Sequence, residues 1–126
     1  MAWNFDFYRE NEADTLFRTL QNELTKLNRK EQLSAKVATA DQKNQAALGG
    51  IIFNPDVEEN DIPKLPNGNW KVHIINENPR NDFRRMFDRA SDFLNNELNE
   101  SQAFYAKLTF VNQKDKGALM AVLFIG

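Results

Sequence analysis

Hydrophobic residues recur along this chain with two different periods, and the same succession of periods occurs twice. Trp3, Phe5 and Phe7 alternate with Asn4 and Asp6, which predicts a half-buried strand at residues 2–8. Apolar residues then recur every three or four positions, which predicts a helix at 12–31 with a single apolar stripe. The stripe consists of Ala13, Leu16, Phe17, Leu20, Leu24 and Leu27.

The second half of the chain begins with the same alternation. Trp70, Val72 and Ile74 take the alternate positions that are predicted to face the core, and a second helical stripe follows at 83–98. A shift of 70 residues superimposes the two stripes and places Phe17 on Phe87. A shift that is larger by one helical turn also aligns a short, mostly polar run in the two helices. The sequence therefore leaves both registers of the helices open.

A stretch of nineteen residues occurs twice without a gap. Residues 35–53 match residues 106–124 at an offset of 71, with seven of the nineteen positions identical. Identity at this level indicates an internal repeat. Each copy predicts a strand, a polar turn and a second strand, and the second copy is richer in β-branched and aromatic residues.

These patterns predict an α+β fold built from two βαββ units within a single domain, 1–126. Unit 1 comprises residues 1–53 and unit 2 comprises residues 70–126, with an acidic, proline-containing linker at 54–69 between them. The simplest arrangement is one antiparallel sheet of about six strands, related by a pseudo-twofold axis, with both helices packed on one face.

Composition narrows the functional classes. The chain has no cysteine, which excludes disulfides, thiolate metal sites and thiol catalysis. Neither a signal-peptide pattern nor an apolar run of membrane-spanning length occurs, so we expect a cytoplasmic protein without membrane contact. The net charge of −2 neither favours nor disfavours nucleic acid, and any basic surface must therefore be local.

The sequence favours a protein that is not an enzyme and that holds neither a cofactor nor a metal. The one histidine, His73, lies within a predicted strand without a recognisable catalytic partner, and no glycine-rich phosphate loop follows a strand. The linker acids lack the spacing of a calcium-binding loop. Glu10 and Glu77 could form a carboxylate pair, but acids that face helix amino termini explain them better.

The predicted sheet would leave one face open, and its side chains suggest single-stranded nucleic acid as the ligand. Aromatic side chains stack bases while ammonium groups contact phosphates. The predicted contacts are Lys36, Lys107, Lys71, Tyr8, Tyr105, Lys43 and Lys114. The plainer interpretation is that a solvated sheet face carries lysine in any case.

The last predicted strand supports a second functional reading. Residues 119–125 are apolar on both faces, so this strand is either central and covered or buried against a partner. The second reading predicts a small protein-binding adaptor or inhibitor, of a kind that phages or mobile elements encode, or a homodimer. It would act through the sheet face or this last strand.

Four arginines lie on and around the second helix. Asp88 and Asp92 are spaced to pair with them, which favours a solvated, salt-bridged surface over an anion-contacting ridge. The four are Arg80, Arg84, Arg85 and Arg89.

Overall fold

The two halves of the chain have the same order of elements in a computed structural model, which describes residues 2–42, 46–77, 83–112 and 117–126. Unit 1 contains β1 (Asn4–Glu10), α1 (Ala13–Lys26), α2 (Arg29–Ser34), β2 (Lys36–Gln42) and β3 (Ala46–Phe53). Unit 2 contains β4 (Trp70–Glu77), α3 (Arg84–Asn96), α4 (Glu100–Tyr105), β5 (Lys107–Asn112) and β6 (Ala118–Ile125). The mixed α+β class is therefore confirmed.

Each unit has a short second helix that the helical stripes did not predict. The helix predicted at 12–31 ends at Lys26, and a new helix begins after Asn28. The Asn28 side chain accepts from the backbone N–H of Glu31, while the Glu31 carboxylate accepts from that of Asn28. Asn99 and Gln102 form the same reciprocal capping box at the start of α4.

The strands form two antiparallel sheets of three strands each, where the sequence predicted one sheet of about six. Sheet A has the order β1-β3-β2 and sheet B has the order β4-β6-β5. The edge strands β2 and β5 lie side by side, with Cα atoms within 8 Å of each other. The described strand pairing nevertheless stops at each of these two edges.

The two long helices pack on opposite faces of sheet A, which corrects the prediction that both lie on one face. Leu16 and Leu20 of α1 pack against Ala47 and Ile51 on one face. On the other face, the ring of Phe87 from α3 lies directly over Gly50. Strand β3 has small or apolar residues on both of its sides, so one helix can pack on each side.

Helix α3 also covers one face of sheet B, so it lies between the two sheets. Met120 and Val122 of β6 are fully buried in the same cluster as Met86 and Phe87 of α3. Helix α1 therefore lies on the far face of sheet A, and α3 lies between sheets A and B, which approach each other at β2 and β5. No helix in the described ranges is both long and apolar enough to cross a membrane.

The orientation of β4 differs from the prediction. Ile75 is buried and pairs with Met120 on the α3 side of sheet B, whereas Trp70, Val72 and Ile74 point away from α3. Val72, Ile74 and Ile75 supply apolar residues to both faces of the strand, so alternation could not decide which face is inside. The face that the sequence assigned to the core is the exposed one.

The linker packs against unit 1 and unit 2 through specific contacts. Val57 is buried. Glu59 pairs with Arg29 at 2.6 Å and Glu58 pairs with Lys30 at 3.1 Å, which holds the acidic segment against α2. These exposed pairs each contribute little to stability, so the linker's place depends more on the buried residue.

Candidate functional site

The outward side of sheet B forms an exposed apolar surface, which we call the open face. Three rows of paired residues cross it from β4 through β6 to β5. The rows are Val72–Leu123–Lys107, Ile74–Ala121–Thr109 and Asn76–Leu119–Val111. Trp70 stands at the start of β4 beside the first row.

Four large apolar side chains on the open face are more than half exposed. Val72 is 53%, Ile74 59%, Trp70 51% and Val111 53% exposed. Scattered exposed apolar residues are common on soluble proteins, but a contiguous group on one rigid sheet marks an interaction surface. The Lys107, Thr109 and Asn76 side chains give this face a polar margin along two sides.

A cavity of about 310 Å³ lies at one end of the open face, lined by Trp70, Leu123 and Lys107. The Lys107 ammonium lies 5.5 Å from the centroid of the Trp70 ring. This geometry is a cation–π contact, and it holds the indole across the sheet next to Leu123. A large, half-exposed tryptophan beside an apolar cavity is typical of the residues that contribute most to protein interfaces.

Lys36 does not lie on an open face, although the sequence predicted it there. It is buried on the α3 side of sheet A, where its Nζ donates to the Phe104 carbonyl at 2.7 Å. The ammonium also lies 4.9 Å from the Trp3 ring centroid. Burial lowers the pKa of Lys36 to about 7, because removing an ammonium from water disfavours its charged form.

The other predicted nucleic-acid contacts are dispersed. Tyr8 packs against the α1 cluster, and burial together with Asp6 and Glu23 raises its pKa to about 12. Tyr105 ends α4 and donates its hydroxyl to the Pro63 carbonyl at 2.6 Å. Lys71 is exposed but pairs with Phe124 on the α3 side of sheet B.

Of the seven predicted contacts, the structure places Lys107 on the open face. Lys43 and Lys114 lie outside the described residues. The described members of the set therefore do not share one surface. The prediction that these lysines and tyrosines share one open face assumed a single six-stranded sheet, and the two-sheet arrangement separates the described members.

His73, Glu77 and two of the arginines, which the sequence offered as candidate catalytic or anion-binding residues, each contact another side chain. The His73 ring stacks on Phe93 with centroids 4.0 Å apart. Glu77 is buried and lies 3.1 Å from Arg89 and 4.0 Å from Arg85. Within the described ranges, no group of three acidic or histidine side chains could hold a metal ion.

The key residues of the open face were visible in the sequence but were assigned to the core. Trp70, Val72 and Ile74 have the alternation of a buried strand face, and a sequence cannot distinguish burial within the chain from burial against a partner. The apolar character of 119–125 on both sides was the signal that could have identified the face.

Comparison with protein-family models gave no match, and comparisons with curated proteins and solved structures gave no significant match.

Proposed function

We propose that this chain is a non-catalytic protein-binding module and that its binding surface is the open face of sheet B. The observation that carries the proposal is the contiguous exposure of Trp70, Val72 and Ile74 on β4 beside the apolar side chains of β6. Burying apolar surface is the main favourable contribution to protein association, at roughly 25 cal/mol per Å².

The shape and composition of the face suit a protein partner. A sheet holds its side chains in fixed positions, so little conformational entropy is lost when a partner binds. Apolar side chains of β4 and β6 adjoin one another, and the polar Lys107, Thr109 and Asn76 lie next to them. Protein interfaces likewise combine contiguous apolar side chains with neighbouring polar ones.

Single-stranded nucleic acid is the competing ligand. Trp70 and Lys107 together could stack one base and contact one phosphate. The other side chains of the three rows are mostly aliphatic, and they offer neither further stacking surfaces nor further positive charge. A protein partner uses all of these rows, whereas a nucleic acid uses one end of them.

Substitution on the open face tests the proposal. We expect Ile74→Glu to abolish capture of a protein partner from a lysate of the source organism, as quantified by mass spectrometry. The matched control is Leu65→Glu in the linker, because Leu65 and Ile74 are 60% and 59% exposed. The control variant should capture the partner as the wild type does. Equal capture by both variants would contradict the proposal.

A titration separates the two ligand classes. Fluorescence anisotropy of labelled single-stranded DNA and RNA, measured at two salt concentrations, should show no binding that depends on Lys107. Phosphate contacts make affinity fall steeply with salt, whereas an apolar interface changes little. Salt-sensitive binding of the labelled DNA or RNA that is lost in Lys107→Glu would contradict the proposal and identify nucleic acid as the ligand of the open face.

A further inference from the structure

The surface of sheet A that corresponds to the open face is already covered within the chain. By their position in the strand pairing, the sheet A rows Phe5–Ile52–Lys36 and Phe7–Gly50–Ala38 correspond to the first two rows of the open face. Helix α3 packs on these sheet A rows, and Phe87 contacts both Phe5 and Phe7. This face of sheet A is thus covered by α3, whereas the corresponding face of sheet B is the open face.

The helix that corresponds to α3 is α1, and two hydrogen bonds fix their relative register. Thr19 of α1 donates to Glu10 at the end of β1, and Arg89 of α3 donates to Glu77 at the end of β4, each at 3.1 Å. Thr19 and Arg89 are 70 residues apart. The shift of 70 is therefore the structural register, and it places Phe17 at the position of Phe87.

Phe17 and Phe87 differ sharply in their surroundings. Phe87 is fully buried against sheet A, whereas Phe17 is 57% exposed on the outer side of α1. A cavity of about 340 Å³ opens beside Phe17, between α1 and β2, and Ala13 and Thr39 contribute to its lining. At the positions that correspond to Ala13 and Thr39, Phe83 and Phe110 pack edge to face.

We infer that the open face binds α1 of a second copy of this chain, with Phe17 of that copy taking the place over Ala121 that Phe87 takes over Gly50. The inference rests on the proposed function, because it names the partner of the same face. It accounts for both exposed surfaces at once. Among the described residues, five of the eight exposed large hydrophobic side chains lie on these two surfaces. The five are Phe17, Trp70, Val72, Ile74 and Val111.

The side chains around Ala121 leave room for this arrangement. Gly50 has no Cβ, and one added there would lie 2.5 Å from the Phe87 ring, so an incoming ring over Ala121 must sit slightly higher. The flanking residues compensate, since Val72 and Ile74 are smaller than the Phe5 and Phe7 that flank Gly50. The phenylalanine ring can therefore settle between them.

The association joins two different surfaces, so it is head-to-tail, and a pair of copies retains one free surface of each kind. Such contacts propagate into a ring or an open chain of copies, and not into a closed twofold dimer. An alternative in which two open faces meet around a twofold axis would leave Phe17 outside the interface.

Sedimentation velocity on two complementary variants tests the inference. Wild-type protein should show a sedimentation coefficient that rises with concentration over about 10 μM to 1 mM, the range of weak protein affinities. Phe17→Glu alters one surface and Ile74→Glu the other, so each variant alone should stay monomeric. A one-to-one mixture of the two should form a heterodimer, because each variant keeps the surface that the other lacks. Both substituted residues are exposed, and matching circular dichroism spectra would confirm that the variants fold.

Three results would overturn the inference. They are a wild-type protein that stays monomeric over the whole range, Phe17→Glu that associates as the wild type does, and a mixture that remains monomeric. The second result would indicate face-to-face pairing. If Ile74→Glu loses capture of a partner and Phe17→Glu keeps it, the proposed function stands, but the partner is a protein other than a second copy of this chain. Equal self-association and equal capture by Ile74→Glu and wild type would overturn both.

Discussion

Phe87 lies so close to Gly50 that a Cβ added to the glycine would stand 2.5 Å from Cε1 of the phenylalanine ring. This contact sets the distance between α3 and sheet A. It packs α3 of unit 2 against sheet A of unit 1. On the open face of sheet B, no described helix makes a corresponding contact.

Replacement of Gly50 by alanine should therefore destabilise the fold. The ring cannot shift without moving other buried aromatic residues, so we expect the free energy of unfolding to fall by about 1–3 kcal/mol. Urea denaturation followed by circular dichroism measures this change. Gly49→Ala is the matched control, because an added Cβ there meets its neighbours at 3.3 Å or more. A loss as large for Gly49→Ala would show that strand conformation, and not the ring contact, sets the cost.

Stability should rise with pH above neutrality because of Lys36. Burial lowers the pKa of this side chain from 10.5 to about 7, so between these values the unfolded chain binds a proton that the folded chain does not. The cost of burying the ammonium is fully present below about pH 7 and is relieved as the pH rises toward 10.5. The stability of the wild type relative to Lys36→Met should increase by up to roughly 1.4 kcal/mol per pH unit in this window. Thermal unfolding at a series of pH values measures it.

The exposed Lys71 provides the control for this pH dependence. Lys71→Met should retain the rise in stability that the wild type shows. A wild type and a Lys36→Met variant that change in parallel with pH would mean that Lys36 keeps its proton in the folded state.

The two capping boxes should contribute similar amounts to stability. Asn28→Ala and Asn99→Ala each remove a side chain that accepts from a helix N–H at 2.9 Å, and each should cost about 1 kcal/mol. Asn22→Ala, within the exposed side of α1, should be neutral or slightly stabilising because alanine favours helix. Chemical denaturation measures the free energy of unfolding of the three variants. A decrease for Asn22→Ala as large as for the other two would contradict the contribution of the capping boxes.

Asn95 connects the end of α3 to the beginning of unit 1. Its side chain accepts from the Trp3 N–H at 2.8 Å and donates to the Trp3 carbonyl at 3.1 Å. Asn95→Ala should lower the free energy of unfolding by about 1–3 kcal/mol, since two backbone groups of a buried residue lose their partner. The neighbouring Asn96 is exposed, and Asn96→Ala should have little effect in the same urea titration. Equal effects would mean that the Trp3 groups find other partners.

Periodicity predicted most strands and both long helices, because apolar residues at strand or helix spacing mark the buried faces of these elements. It did not predict α2 and α4, which are too short to show a stripe. Their signal was the capping pattern, an asparagine followed three residues later by Glu31 or Gln102, and this pattern is readable in the sequence.

The candidate site was harder to predict than the elements that form it. Lys36 and Lys107 occupy the same place in the repeat, yet one is buried by α3 and the other is exposed. An alanine precedes each lysine and an aliphatic residue follows it, so this local pattern does not distinguish the two lysines, and the neighbouring unit does. Only the layer order, which depends on contacts far apart in the chain, decides which face of each sheet is covered.

The position of α3 between the two sheets has a consequence for how the chain unfolds. Duplicated proteins often lose one half before the other, since each half has its own interior. Here neither half can open alone, because withdrawal of α3 exposes Phe5 and Phe7 of one sheet together with Met120 and Val122 of the other. We therefore expect a single cooperative transition, in which heat or denaturant melts both halves together without a half-folded intermediate.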